Sequence, residues 1–131
     1  MPELGLSEQA ATPPGVQAVP LLTLDEVAVL PAGHALANQA VLRLQDFAGQ
    51  PFVSLSADDP YRRQIDERFA QAGVARQLHL QTHSAVAVCA MVQQGLGLAI
   101  VNPLTAAAMA GPRLVVKPLD VAIPFSVSLL L

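Results

Sequence analysis

Apolar and polar residues alternate with two different periods along this chain, and the switches between them mark its elements. Leu78, Leu80 and Thr82 alternate with His79, Gln81 and His83, which is a strand pattern. Ser84 stands where a helix cap belongs, ahead of Val86, Val88, Met91 and Val92. Gly95 and Gly97 stop that helix, and Leu98-Ala99-Ile100-Val101 reads by composition as a buried strand. Residues 78–105 therefore form a βαβ unit with a polar cluster at each strand exit: Thr82, His83 and Ser84 at the first, Asn102 at the second. Such units place ligands at the carboxyl ends of strands and on helix N-termini. No nucleophile or metal cage stands out there, so the segment reads as a binding site.

The same reading extends to both sides. Residues 16–24 and 26–30 form two strands or one long bent one, after a turn at 11–15. Pro31-Ala32-Gly33-His34 breaks the run, and residues 42–47 suit a short helical turn. Pro51 to Leu55 is a strand. Asp58-Asp59-Pro60 starts a helix, with an Asp cap and Pro at the first helical position. Tyr61, Ile65 and Phe69 then recur at spacing four, and Gly73 ends the helix. Residues 103–110 predict a short helix, and 114–117 and 125–131 predict strands. The order is mixed α/β, without an internal repeat.

Composition narrows the picture. The chain has 131 residues, about one domain, with 53% hydrophobic and 13% charged residues. So few charges imply apolar surface covered by a partner or by further chain. A net charge of −3 gives no electrostatic footprint for nucleic acid. The lone Cys89 excludes an internal disulfide, and its apolar helix face suggests a small buried hydrophobe. With no signal peptide and no run of about 18 apolar residues, a cytoplasmic protein without a membrane span is expected. The apolar end, Val127-Ser128-Leu129-Leu130-Leu131, suggests an excerpt from something longer.

The motifs together resemble the effector-binding domain of LysR-type transcriptional regulators. The residues carrying the resemblance are Glu3-Leu4-Gly5-Leu6, the stretch 27–37, Leu44 with Asp46-Phe47, Pro51-Phe52-Val53-Ser54-Leu55, and the stretch 91–99. Asp59-Pro60-Tyr61-Arg62 and residues 82–105 look like the subgroup that includes the activator of diaminopimelate decarboxylase expression and the regulators of opine catabolism. The resemblance implies an α/β, periplasmic-binding-protein-like (type 2) effector domain. Subdomain II would be complete over 31–118. Subdomain I would be partial, with a remnant and crossover strand at 1–30 and a returning strand at 119–131. No helix-turn-helix or linker helix is visible, so DNA would be reached only through an N-terminal domain that this chain lacks. A homo-oligomer is expected, and the effector would be an amino acid or amino-acid derivative.

Candidate effector-binding residues follow, each with a plainer alternative. Thr82 and Ser84 would hold a ligand carboxylate, with His83 between them, or would only cap a helix. Ser54 or Ser56 would face the cleft, with Asp58 or Asp59 on an effector ammonium, or the stretch is a solvated turn. Arg62 would clamp a carboxylate, or lies on a solvated helix face. Asn102 points into the strand-end crevice or caps the next helix. His34, His79 and His83 are irregularly spaced, so no metal or other cofactor is expected. Gly95-x-Gly97 follows a helix and is no dinucleotide fingerprint, and no nucleophile elbow occurs. Enzymatic function is therefore not expected. The rival to a sensing module is a structural or dimerising fragment whose bare strand edges pair with another chain.

Overall fold

The computed structural model describes residues 5–7, 15 and 17–130. In chain order the elements are β1 (Gly5–Ser7), β2 (Ala18–Asp25), β3 (Val27–Pro31), β4 (Pro51–Leu55), α1 (Pro60–Ala72), β5 (Gln77–Thr82), α2 (Ala85–Gln93), β6 (Ala99–Val101), α3 (Pro103–Met109), β7 (Leu114–Lys117) and β8 (Pro124–Leu130). Two 3-10 turns, Ala35–Asn38 and Leu44–Phe47, join β3 to β4. The predicted turn at 11–15 lies outside the described residues except for Gly15, as do Leu4, Val16 and Leu131.

The larger sheet is built around β3. Its Val-Ala-Val-Leu run lacks polar residues, as suits a strand covered on both faces. β3 pairs antiparallel with β6 on one side and with β7 on the other. β4 and β5 pair in parallel. Leu98 joins the two groups: Val53 N–H donates to its carbonyl at 2.8 Å, and its own N–H donates to the Pro51 carbonyl at 2.9 Å. The resulting strand order is β5-β4-β6-β3-β7. A separate sheet of order β1-β8-β2 is wholly antiparallel, with a bulge at Leu21.

Strand alternation sends successive side chains to two cores. Ala28, Leu30, Phe52, Leu98 and Ile100 meet Ile65 and Phe69 of α1 on one face. Val29, Val53, Ala99 and Val101 meet Val88, Cys89 and Val92 of α2 and Ala106 of α3 on the other. The rings of Phe47, Phe52 and Phe69 pack edge to face with centroids 5.6–5.9 Å apart. The Arg76 guanidinium lies 3.9 Å from the Phe69 ring centroid and donates to Asp66 Oδ1 at 2.8 Å. Burial pulls this guanidinium below its ordinary pKa, and Asp66 opposes the pull.

Local signals agree with the sequence reading for α1. Asp59 Oδ1 accepts from the N–H groups of Tyr61 and Arg62 at 2.8 and 3.3 Å, and Gly73 ends the helix at φ 69°. Tyr61, Ile65 and Phe69 are its buried residues.

At four places the structure refines or corrects the sequence reading. The strands of the βαβ unit are not neighbours, because β4 lies between β5 and β6. β5 is the sheet's edge, and Leu78 and Leu80 are 42% and 37% exposed. The helical turn predicted over 42–47 is shorter, because Leu42 instead bridges to Leu119 as extended chain. Of the two readings of 16–30, the two-strand one holds: β2 and β3 lie in different sheets, parted at Glu26.

Among the glycines whose surroundings are described, Gly97 alone has other backbone pressed against it. A Cβ there would stand 2.8 Å from the Pro51 carbonyl oxygen, inside the ladder joining β4 to β6. Gly97→Ala should therefore destabilise the protein by about 1–3 kcal/mol, measured by urea denaturation. Burial also pushes the Cys89 thiol up from its ordinary 9.0 to about 11. The folded state then holds this proton more tightly than the unfolded chain. The associated stability is intact below pH 9 and is lost as the pH rises toward 11. Denaturation midpoints should fall across that window, and should fall less for Cys89→Ala.

Candidate functional site

The carboxyl ends of β4, β5 and β6 all open toward the smaller sheet, and a cavity of about 100 Å³ lies there. Glu26, Leu55, Asp59, Tyr61, His83, Ala85, Asn102 and Phe125 line it. These residues arrive from six places along the chain. Glu26 sits between β2 and β3, where the chain crosses from one sheet to the other. Leu55 ends β4, and His83 and Ala85 flank the cap of α2. Asn102 follows β6, and Phe125 comes from β8.

Helix α1 fastens the far wall. The Tyr61 and Phe125 rings are 5.1 Å apart and tilted by 44°. The Tyr61 hydroxyl donates to the Ser126 carbonyl at 3.4 Å, Gln64 Nε2 to the Pro124 carbonyl at 3.3 Å, and Arg68 Nε to the Ala122 carbonyl at 3.3 Å. These three side chains follow helical spacing, so one face of α1 holds the returning chain while Ile65 and Phe69 enter the core. Glu26 N–H donates to the Ile123 carbonyl at 2.8 Å, which ties the two crossing segments together.

The sequence-derived site residues separate into groups. His83 and Asn102 line the cavity. Ser56 is buried and makes a 2.7 Å hydrogen bond to His83 Nδ1, which fixes the imidazole. Asn102 caps α3 and also lines the cavity. Its Oδ1 accepts from Thr105 N–H at 2.8 Å and its Nδ2 donates to Thr105 Oγ1 at 3.0 Å, yet it stays in the wall. Ser84 is the exposed cap of α2, its Oγ accepting from Ala87 N–H at 3.3 Å. Thr82 ends β5 opposite Leu55, and Ser54 is buried within β4; neither lines the cavity.

Arg62 is not brought into the wall either. Its Nη1 donates to the Leu55 carbonyl at 2.8 Å and its Nε to Asp66 Oδ2 at 2.9 Å, so it braces the end of β4 from outside. Of the histidines, His34 caps a 3-10 turn by accepting from Leu36 N–H at 3.1 Å, and His79 is exposed on β5. Among the described residues, no group of three or more His, Cys, Asp or Glu side chains is placed to hold a metal. No helix among them is long and apolar enough to cross a membrane.

Sequence reasoning missed Glu26, Tyr61 and Phe125 as wall residues. Tyr61 and Phe125 looked like ordinary core positions. Glu26 did carry a signal, as a single acid between two apolar strand runs in a chain poor in charge.

Comparison with known proteins identifies this arrangement. The LysR substrate binding domain model matches residues 3–131. The chain belongs to the LysR substrate-binding domain family. The transcriptional activator protein LysR of Escherichia coli is 48% identical over 98% of this chain, which covers 41% of that protein. The regulatory protein NocR of Agrobacterium tumefaciens is 27% identical over 98% of the chain and 43% of its own length. The chain thus spans less than half the length of these relatives. The LysR-type fold is matched by the regulatory domain of CcmR from Synechocystis, solved in complex with 2-PG. Its TM-score is 0.82 at 16% identity, covering 98% of this chain and 62% of that one. The effector-binding domain of QuiR, solved with shikimate, gives a TM-score of 0.79 at 20% identity over 97% and 60%. These neighbours have the periplasmic-binding-protein-like type 2 fold, so the fold class expected from the sequence holds.

The capping role of Ser84 is open to a direct check. Ser84→Ala should cost about 1 kcal/mol through loss of the α2 cap. The melting temperature should then drop by roughly 3–5 °C with the circular dichroism spectrum unchanged.

Proposed function

We propose that this LysR substrate-binding domain takes an amino acid or amino-acid derivative in the cleft between its two sheets, as the sensing part of a transcriptional regulator. The observation that carries the reading is the cavity at the carboxyl ends of β4, β5 and β6. It is closed on one side by the larger sheet and on the other by Phe125 of the returning strand. Two structural neighbours hold small molecules, 2-PG and shikimate, which supports a small effector here. His83, Asn102 and Ser56 would make the polar contacts. Thr82 and Ser84 would lie behind them at the α2 start and Ser54 within β4, and Arg62 would stiffen the β4 end.

The ligand would act by its different affinity for two relative positions of the sheets, with a coupling of about 1–3 kcal/mol. Subdomain II would comprise residues 31–118, with 1–30 and 119–131 as the partial subdomain I. DNA would be contacted only through a separate N-terminal domain of the whole regulator, a cytoplasmic homo-oligomer. Bond-making has no part in this mechanism.

A second reading is favoured by one observation. Leu21, Leu22 and Leu24 of β2 are exposed on the smaller sheet. On that reading the chain is a structural piece that self-associates through this surface.

Isothermal titration calorimetry with lysine, diaminopimelate and arginine-derived opines tests the first reading. Heat of binding is expected for at least one of them, and it should be weakened by Asn102→Ala and by His83→Ala. A folded sample giving no heat with any, together with a dimer on size-exclusion chromatography, moves the conclusion to the second.

A further inference from the structure

We infer that Glu26 is the specificity residue of the cleft and that it selects ligands carrying an ammonium group. This rests on the effector-cleft reading above and names the chemistry of one end of the site.

The charge balance of the wall is the first argument. The cavity lining holds two carboxylates, Glu26 and Asp59, one histidine, and no lysine or arginine. Such a wall attracts a cationic group and repels a second anion. The two acids differ in setting. Asp59 caps α1 through Oδ1 and is only half-buried. Glu26 is 2% exposed and stands on no helix. At that depth a charge meets its opposite across a lower effective dielectric than at the surface, so the interaction is stronger and its geometry stricter.

The walls beside it point the same way. Tyr61 and Phe125 both line the cavity, with rings 5.1 Å apart. Aromatic faces are electron-rich and favour a cation over a neutral or anionic group of the same size. The position of Glu26 gives its selection a consequence. It is the single residue between β2 of the smaller sheet and β3 of the larger one, and its N–H is bonded to the returning chain at Ile123. A ligand held by this side chain acts directly on the point where the two sheets are joined. Ser54 to Arg62, where the sequence motifs concentrate, would then serve orientation, while the crossover supplies discrimination.

Two pairs of probes test the assignment on the full chain by calorimetry: lysine with hexanoate, and diaminopimelate with pimelate. Each pair shares a carbon skeleton and carboxylates and differs in its ammonium groups. At least one ammonium-bearing probe is expected to bind more than about thirtyfold tighter than its partner, as loss of a buried charge pair implies. Glu26→Gln should erase that preference while leaving a cooperative melting transition. If that variant fails to fold, Glu26→Asp, which keeps the charge but withdraws it by one methylene, takes its place and should weaken the preference. Equal affinity within the pairs, binding of hexanoate or pimelate alone, or a folded Glu26→Gln that keeps the preference overturns the role of Glu26 and leaves the effector cleft standing. No binding by any of the four overturns the amino-acid effector reading, and the role of Glu26 falls with it.

Discussion

The structure depends on one strand being covered on every side. β3 has β6 and β7 as hydrogen-bonded neighbours, and its alternate side chains enter opposite cores. Ala28, Val29 and Leu30 are all wholly buried. β3 is also the only antiparallel member among otherwise parallel strands. It enters at the end where the others leave, so the residue before it, Glu26, arrives at their carboxyl ends. The cleft and the crossover are therefore one place for topological reasons.

Rigidity around the cleft comes mostly from side chains outside its wall. Arg62 ties the Leu55 carbonyl to Asp66, and Asp66 in turn holds Arg76 against the Phe52 and Phe69 rings. This chain of contacts runs from the core to the end of β4. On the other side, α1 holds residues 122–126 through Tyr61, Gln64 and Arg68. One helix thus grips both walls, and relative motion of the sheets must bend or slide along its outer face.

The legible parts of the fold were those with local causes. The Asp59-Pro60 start, the spacing of Tyr61, Ile65 and Phe69, and the Gly73 stop each act within a turn or two of the chain. The exposure of β5 depends on which strand lies beside it, and no alternation of Leu78 and Leu80 reveals an edge. The site was legible in the same measure. His83 and Asn102 follow strands that the sequence identifies, and both line the cavity. Phe125 and Glu26 reach it only because the chain returns. Arg62 was ambiguous in sequence, although an acid four residues on, Asp66, was already a visible partner.

The smaller sheet joins the two ends of the chain: residue 5 pairs with residue 130, and residue 18 pairs with that same residue. β8 is the middle strand, so neither neighbour has a partner until β8 exists. The β4–α1–β5 segment can fold from near neighbours, whereas β2 must wait for β8, which lies far along the sequence. In that interval Leu21, Leu22 and Leu24 are displayed on an unpaired strand. The wide separation of β2 from β8 in sequence thus leaves an open strand edge beside these leucines until β8 docks.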